Sequence, residues 1–178
     1  MPIEVVVRRP KPHEYDSVRD LIEVVATETF KDLFAPNPVP LEFKDEDWPL
    51  AWVAASDAKI LGVIVTNQEW VDDLWVLREH RKHGVGSRLL AQGESEIAAR
   101  GCQTCRLRVV KSNVVAVQFY LRQEWQIVRE LRTKSTIIPC WKWPNLSGPL
   151  NKRSGSVSGI ALIRSRARPV KTSSESHQ

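Results

Sequence analysis

Apolar and polar positions alternate, then recur at helical spacing, then alternate again, so the chain reads as strands separated by helices. Ile3, Val5 and Val7 interleave with Glu4, Val6 and Arg8, which predicts a first strand closed by Pro10 and Pro12. Val18, Leu21, Ile22, Val25 and Thr29 then recur at helical spacing and predict an amphipathic helix over 13–32. Pro36, Pro38, Pro40 and Pro49 make 35–49 a loop with room for one helical turn. Trp52–Ala55 and Ile60–Val65, joined by Ser56-Asp57-Ala58-Lys59, read as a hairpin, and 69–77 as the next strand. Residues 85–100 supply an apolar face and end at Gly101, so they read as a helix. Strand alternation returns over 104–110. A short helix over 113–123 follows, capped by Ser112 or Asn113. Residues 125–131 and 134–143 read as two last strands. Strands 69–77 and 104–110, linked by a helix, form a right-handed parallel crossover in a mixed sheet.

Composition narrows this picture without redirecting it. With 178 residues, 42% hydrophobic and 26% charged, the chain suits one soluble α/β domain and a tail. No apolar run approaches the ~20 residues of a membrane helix, and Met1–Val7 lacks the blocks of a signal peptide. A cytoplasmic location and no membrane partner are the default expectations. Cys102, Cys105 and Cys140 make a poor disulfide framework, and Cys102-x-x-Cys105 has no second pair at zinc spacing.

The net charge of +5 is unevenly placed. Residues 147–178 hold Lys152, Arg153, Arg164, Arg166, Arg168 and Lys171 against one acid, Glu175, and are rich in Ser and Gly. The body, 1–146, is therefore neutral. The expectation is a domain over 1–146 and a disordered basic tail over 147–178. The apolar run Val157–Ile163 within it is a competing signal for an added strand or an oligomer contact.

The informative segment runs from Val76 to Leu90. A strand ends, the basic turn Arg78-Glu79-His80-Arg81-Lys82-His83 follows, and Gly84-Val85-Gly86-Ser87 opens a helix. A helix N-terminus offers unpaired amides and partial positive charge, and glycines let a phosphate come close. The pattern suits a pyrophosphate. A plain tight turn needing positive φ at Gly84 or Gly86 explains the same glycines. His80 and His83 have no further ligands beside them, so no metal is expected.

Arg81-x-x-Gly84-x-Gly86, preceded by Leu74-x-Val76, resembles the acetyl-CoA signature of the GNAT N-acetyltransferases. Leu107-x-Val109 followed by Asn113-x-x-Ala116-x-x-Phe119-Tyr120 resembles a later motif of the same family. The resemblance covers the order of elements from 3 to 143. It implies a mixed, mostly antiparallel sheet flanked by helices, and transfer of an acetyl group from acetyl-CoA to an amine. It implies that Val76 and Leu77 face the pantetheine arm and that Arg81, Lys82, His83, Gly84, Val85, Gly86 and Ser87 wrap the pyrophosphate. Asn113 and Tyr120 would sit beside the coenzyme, with Tyr120 the acid that protonates the leaving thiolate. Tyr120 also reads as a core aromatic in a stripe with Ala116 and Phe119. The family's Gly-Phe after this helix is here Glu124-Trp125. Trp125 can replace the aromatic; Glu124 takes positive φ less cheaply than glycine, so a different turn is expected.

Candidates for a base that frees the amine are Glu69, Asp72 and Asp73. Strict alternation puts Asp72 with Leu74 and Val76, and Glu69 with Asp73, on opposite faces; Asp72 is taken as the catalytic candidate. Each reads equally as a solvated charge. In the family, residues over 28–50 cover the acceptor side. Glu42, Asp45, Glu46 and Asp47, with Phe43 and Trp48, would suit a cationic amine there, and a solvated acidic loop explains them equally well. The acceptor is a small molecule or a peptide, and a homodimer is a candidate assembly. Two other readings stand beside catalysis: an inactive acyl-CoA-binding protein of this fold, and a nucleic-acid partner held by the basic tail. The neutral body disfavours the second.

Overall fold

A computed structural model of the chain describes residues 4–34, 45–57, 59–133 and 157–165. The elements are β1 (Val6–Arg8), α1 (Tyr15–Phe34), β2 (Ala51–Ser56), β3 (Lys59–Asn67), β4 (Trp70–Val76), α2 (Val85–Ala99), β5 (Thr104–Val110), α3 (Val114–Arg122), β6 (Gln126–Thr133) and β7 (Val157–Ser165). Short 3₁₀ turns stand at Pro12–Glu14, Asp45–Leu50 and Arg78–His80. The strands form one sheet in the order β1-β2-β3-β4-β5-β7-β6, antiparallel at every pairing except β4 with β5.

The helical stripe read from the sequence is the one α1 buries. Val18, Leu21, Ile22 and Val25 pack on one sheet face with Val53, Ile60, Val63 and Val65. The helix is entered through a clip in which both Glu14 oxygens accept from Arg8 at 2.7 Å and Oε2 also accepts from the Lys11 amide at 2.7 Å. On the other face α2 and α3 bring Val85, Leu89, Leu90, Ile97, Val117 and Tyr120 against Leu61, Ile64, Leu107 and Val109. β3 lies between these two layers, which is why it reads as a continuous apolar run rather than an alternating one.

Two expectations need correction. The stretch 147–178, expected to be a disordered tail, contains β7, which pairs with β5 on one side and β6 on the other. Ile160 and Leu162 are buried in the α2–α3 core. The domain therefore continues past 146. The Ser, Gly and Arg content that suggested disorder is compatible with a strand here because its two apolar side chains face the core and its backbone is paired on both edges. The remainder of that stretch, and the last strand expected over 134–143, lie outside the described residues.

The second correction concerns β4. Val65 pairs with Asp73, but Thr66 pairs with Val71, so Asp72 is an extra residue, a β-bulge. Val71 then belongs to the α2-side core while Trp75 belongs to the α1-side cluster. Strict alternation across 69–77, and the face assignments drawn from it, fail at Asp72.

Candidate active site

β4 and β5 run parallel, yet they register only at Trp70 with Arg106 and Val71 with Leu107. Beyond Val71 and Leu107 the two strands are no longer paired, although β4 runs on to Val76 and β5 to Val110, and the unpaired stretch between them is the candidate cleft. The Leu77 amide donates to the Leu61 carbonyl at 3.0 Å, so Leu77 faces β3. Alternation along an antiparallel pair then turns the main-chain groups of Val76 and Leu74 away from β3, toward the cleft. The Leu77 amide is bonded to β3 and its side chain packs against the α1-side cluster, whereas the main chain of Val76 is turned to the β5 side.

At the cleft's end the chain turns into α2. Lys82 has φ 62° and Gly84 φ 80°, two left-handed residues that fold the loop back on the helix axis. The Arg88 amide makes the helix's first bond, to Gly84 at 3.0 Å. The amides of Val85, Gly86 and Ser87 precede it and so have no helical partner. Arg81 braces the turn, donating from Nε to the Val76 carbonyl at 3.0 Å. The two glycines serve different ends. A side chain on Gly84 would meet open space but a strained φ, whereas one on Gly86 would touch the Phe119 ring at 3.4 Å. Of the two, positive φ is therefore needed at Gly84 alone, and a small side chain at Gly86 would make ordinary contact with α3. Val85 is a buried core residue. Lys82 and His83 are exposed on the loop, and Ser87 accepts at Oγ from Gln123 at 3.2 Å, a contact no sequence motif signalled.

From the other side of the cleft comes α3. Asn113 is its N-cap, with Oδ1 accepting from the Ala116 amide at 3.2 Å. Tyr120 is 8% exposed, its ring 5.2 Å from Phe119 and 5.9 Å from Trp125. Burial pushes its phenol well above the ordinary tyrosine range, and the negative charge of Asp73 pushes the same way. The hydroxyl therefore keeps its proton. Asp73 is itself buried and accepts from Trp75 Nε1 at 2.8 Å. Glu124 adopts φ 64°, so the turn after α3 keeps the left-handed shape of a glycine turn rather than changing it.

The three candidate bases part company. Asp73 is the one whose charge reaches Tyr120. Asp72, on the bulge, faces Arg108 electrostatically. Glu69 lies 3.8 Å from Arg106. Of the expected acceptor-side residues, Trp48 is 3% exposed and tilts against Tyr15 at 6.3 Å, so it is core and presents nothing to a substrate. Glu42 and Phe43, and the side chains of Asp45, Glu46 and Asp47, lie outside the described residues. Among the described residues no group of His, Cys, Asp and Glu could hold a metal, and no helix is long and apolar enough to cross a membrane. A shallow groove of about 710 Å³ lies elsewhere, between α1 and the β2–β3 hairpin, and includes His80 but neither Tyr120 nor the α2 amides.

A family model described as the acetyltransferase (GNAT) family matches residues 16–125. No curated protein matches the chain in a sequence search. Among solved structures, Ard1 from Thermoplasma volcanium is 19% identical with a TM-score of 0.64, covering 92% of this chain and 99% of that one. The PaiA N-acetyltransferase from Thermoplasma acidophilum, in complex with coenzyme A, is 13% identical with a TM-score of 0.61, covering 92% and 99%. Naa50 from Arabidopsis thaliana, bound to a bisubstrate analogue, CoA-Ac-MVNAL, is 15% identical with a TM-score of 0.59, covering 91% and 99%. At such identities the likeness is one of fold.

Proposed function

The chain belongs to the acetyltransferase (GNAT) family, and from that premise we propose that it moves an acetyl group from acetyl-CoA to a primary amine by direct attack of the amine on the thioester. The observation that carries this reading is the cleft between β4 and β5, which leads to the unpaired amides at the start of α2. The cleft exposes one strand edge to a pantetheine arm, and the loop Arg81–Ser87 suits its pyrophosphate. Coenzyme A and a CoA-linked peptide analogue are the ligands of two structures of the same fold.

The chemistry asks little of the protein, because the thioester is already activated. The amine nitrogen forms a bond to the acetyl carbon, and the carbon–sulfur bond breaks. The thiolate takes a proton from Tyr120, and the amine loses one to a base or to water. Tyr120 suits the acid role because burial keeps it protonated. Asp73, whose charge reaches Tyr120, is a better candidate than Asp72 for holding the proton balance of that cleft. Asn113, committed through Oδ1 to its cap, retains Nδ2 for the coenzyme.

Calorimetry with acetyl-CoA and thiol release over a panel of amines test the reading. Binding should be measurable, and Gly86→Trp should abolish it while a melting curve shows the protein still folded. Unchanged affinity in a folded variant would remove the loop from the coenzyme site.

A further inference from the structure

The two faces of the sheet are unequally covered. α1 lies over β3 and β4, and the described residues place no helix over the same face of β5, β7 and β6. Register aligns the side chains there in rows. Arg108 of β5, Ala161 of β7 and Arg129 of β6 form one row. Trp70, Arg106, Ile163 and Gln126 form the next. Adjacent strands stand about 4.8 Å apart, so two arginines flank a lone methyl group at roughly 10 Å between their Cα atoms.

The Arg108 guanidinium carbon lies 4.2 Å from the centre of the Trp70 ring, within cation–π range. Burial lowers the Arg108 pKa from the ordinary guanidinium range; Asp72 opposes that shift, and Arg129 adds to it more weakly. The acids on this face near the row are Asp72, beside Arg108, Glu69, beside Arg106, and the buried Asp73, which pairs with Val65 and accepts from Trp75. Arg129 is exposed and makes no ion pair among the described residues. Two guanidinium groups held near each other around a small residue form an arrangement that an anion would relieve.

Position gives this cluster its meaning. Asp72 and Arg108 are the first residues past the end of the β4–β5 pairing, so they stand at the mouth of the cleft on the face away from α2 and α3. We infer that Arg108 and Arg129, with Trp70 beneath and Ala161 between, hold a carboxylate carried by the acceptor, so that the substrate class is primary amines bearing a carboxylate. The inference rests on the amine-transfer reading and narrows its substrate.

Matched acceptors test it. At saturating acetyl-CoA, thiol release is measured for γ-aminobutyrate against 4-aminobutanamide, and for the peptide Ser-Glu-amide against Ser-Gln-amide. The carboxylate member should be preferred about 10-fold or more in kcat/KM, the scale of a charge-assisted hydrogen bond. Arg108→Gln should raise KM for that member by about 10-fold or more and leave its neutral twin nearly unchanged, with Arg108→Lys in between. Ala161→Leu, which fills the gap without removing a charge, should shift the same ratio. Equal use of both members, or an Arg108→Gln effect that falls equally on both, overturns the inference. Absence of turnover with every amine, while calorimetry still shows acetyl-CoA bound, rejects amine transfer itself and this inference with it.

Discussion

β3 is buried from Ile60 to Thr66, with α1 over one face and α2 over the other. At the far edge of the same sheet, β6 leaves Ile127 46% and Val128 51% exposed, and its neighbour β7 buries only one face. The first half of the sheet is ordered by apolar burial on two sides. The second half is ordered by backbone pairing, one apolar face and charged ties. Arg164 of β7 donates to Glu94 of α2 at 3.0 Å and to Glu124 at 3.3 Å, and Trp125 donates to the same Glu94 oxygen at 3.0 Å. The cleft lies on the seam between these halves, where a rigid layer meets one that is covered on a single side. The proposed acetyl transfer, in which a coenzyme and an amine would enter from opposite faces, suits such a seam.

The largest break in this comparison is removal of β7. Truncation after 146 takes away the strand between β5 and β6, strips both of that pairing and uncovers the core around Leu107 and Val109. The truncated chain should be insoluble or should show no cooperative melt. A milder form is Leu162→Ala. Leu162 and Ile64 are both 0% exposed, so Leu162→Ala and Ile64→Ala should each cost about 2–5 kcal/mol by denaturant unfolding. A Leu162→Ala cost under about 1 kcal/mol would make β7 an accessory strand and the two halves unequal in stability as well as in cover.

The same contrast explains what the sequence disclosed. Two-sided burial writes itself into long apolar runs and helical stripes, so α1, α2, the hairpin and β3 were legible close to their observed bounds. β7 was obscured because its signal is one short apolar run inside a basic, Ser-rich stretch, far along the chain from β5. The bulge at Asp72 was not legible either, since nothing in Val71-Asp72-Asp73-Leu74 marks an extra residue; only the pairing with Thr66 and Val65 exposes it. Of the candidate site, the α2 loop and Tyr120 followed from local motifs. The Arg108–Ala161–Arg129 row did not, because three strands distant in sequence must first be aligned.

At the seam itself, Tyr120→Phe removes one oxygen and leaves the ring against Phe119 and Trp125. It should lower kcat by roughly 10- to 1,000-fold with little change in coenzyme affinity or melting temperature. Because the phenol's range is raised by burial and by Asp73, the hydroxyl stays protonated as pH climbs past the ordinary tyrosine value near 10. The rate should therefore show no alkaline loss from Tyr120 below that pH. Folding, which keeps this group neutral, should be favoured below about pH 10 and lose that contribution as pH rises further. Full activity in Tyr120→Phe would leave the residue as packing only.

The smallest effect tests the charged ties of the second half. Glu124 sits at φ 64°, a conformation that costs a residue with a Cβ about 1–2 kcal/mol and costs glycine almost nothing. Against this, its carboxylate meets Arg164 at 3.3 Å, but that side chain is 84% exposed, and such a pair contributes little. Glycine also loosens the unfolded chain, which offsets part of the relief. On balance Glu124→Gly should stabilise the protein by up to about 1 kcal/mol, whereas Glu124→Ala, which keeps the strain and loses the pair, should be neutral or slightly destabilising. Urea unfolding of both variants reads the difference. If Glu124→Gly instead destabilises by more than about 1 kcal/mol, the contact with Arg164 outweighs the backbone strain, and the charged ties contribute more to the second half of the sheet than their exposure suggests.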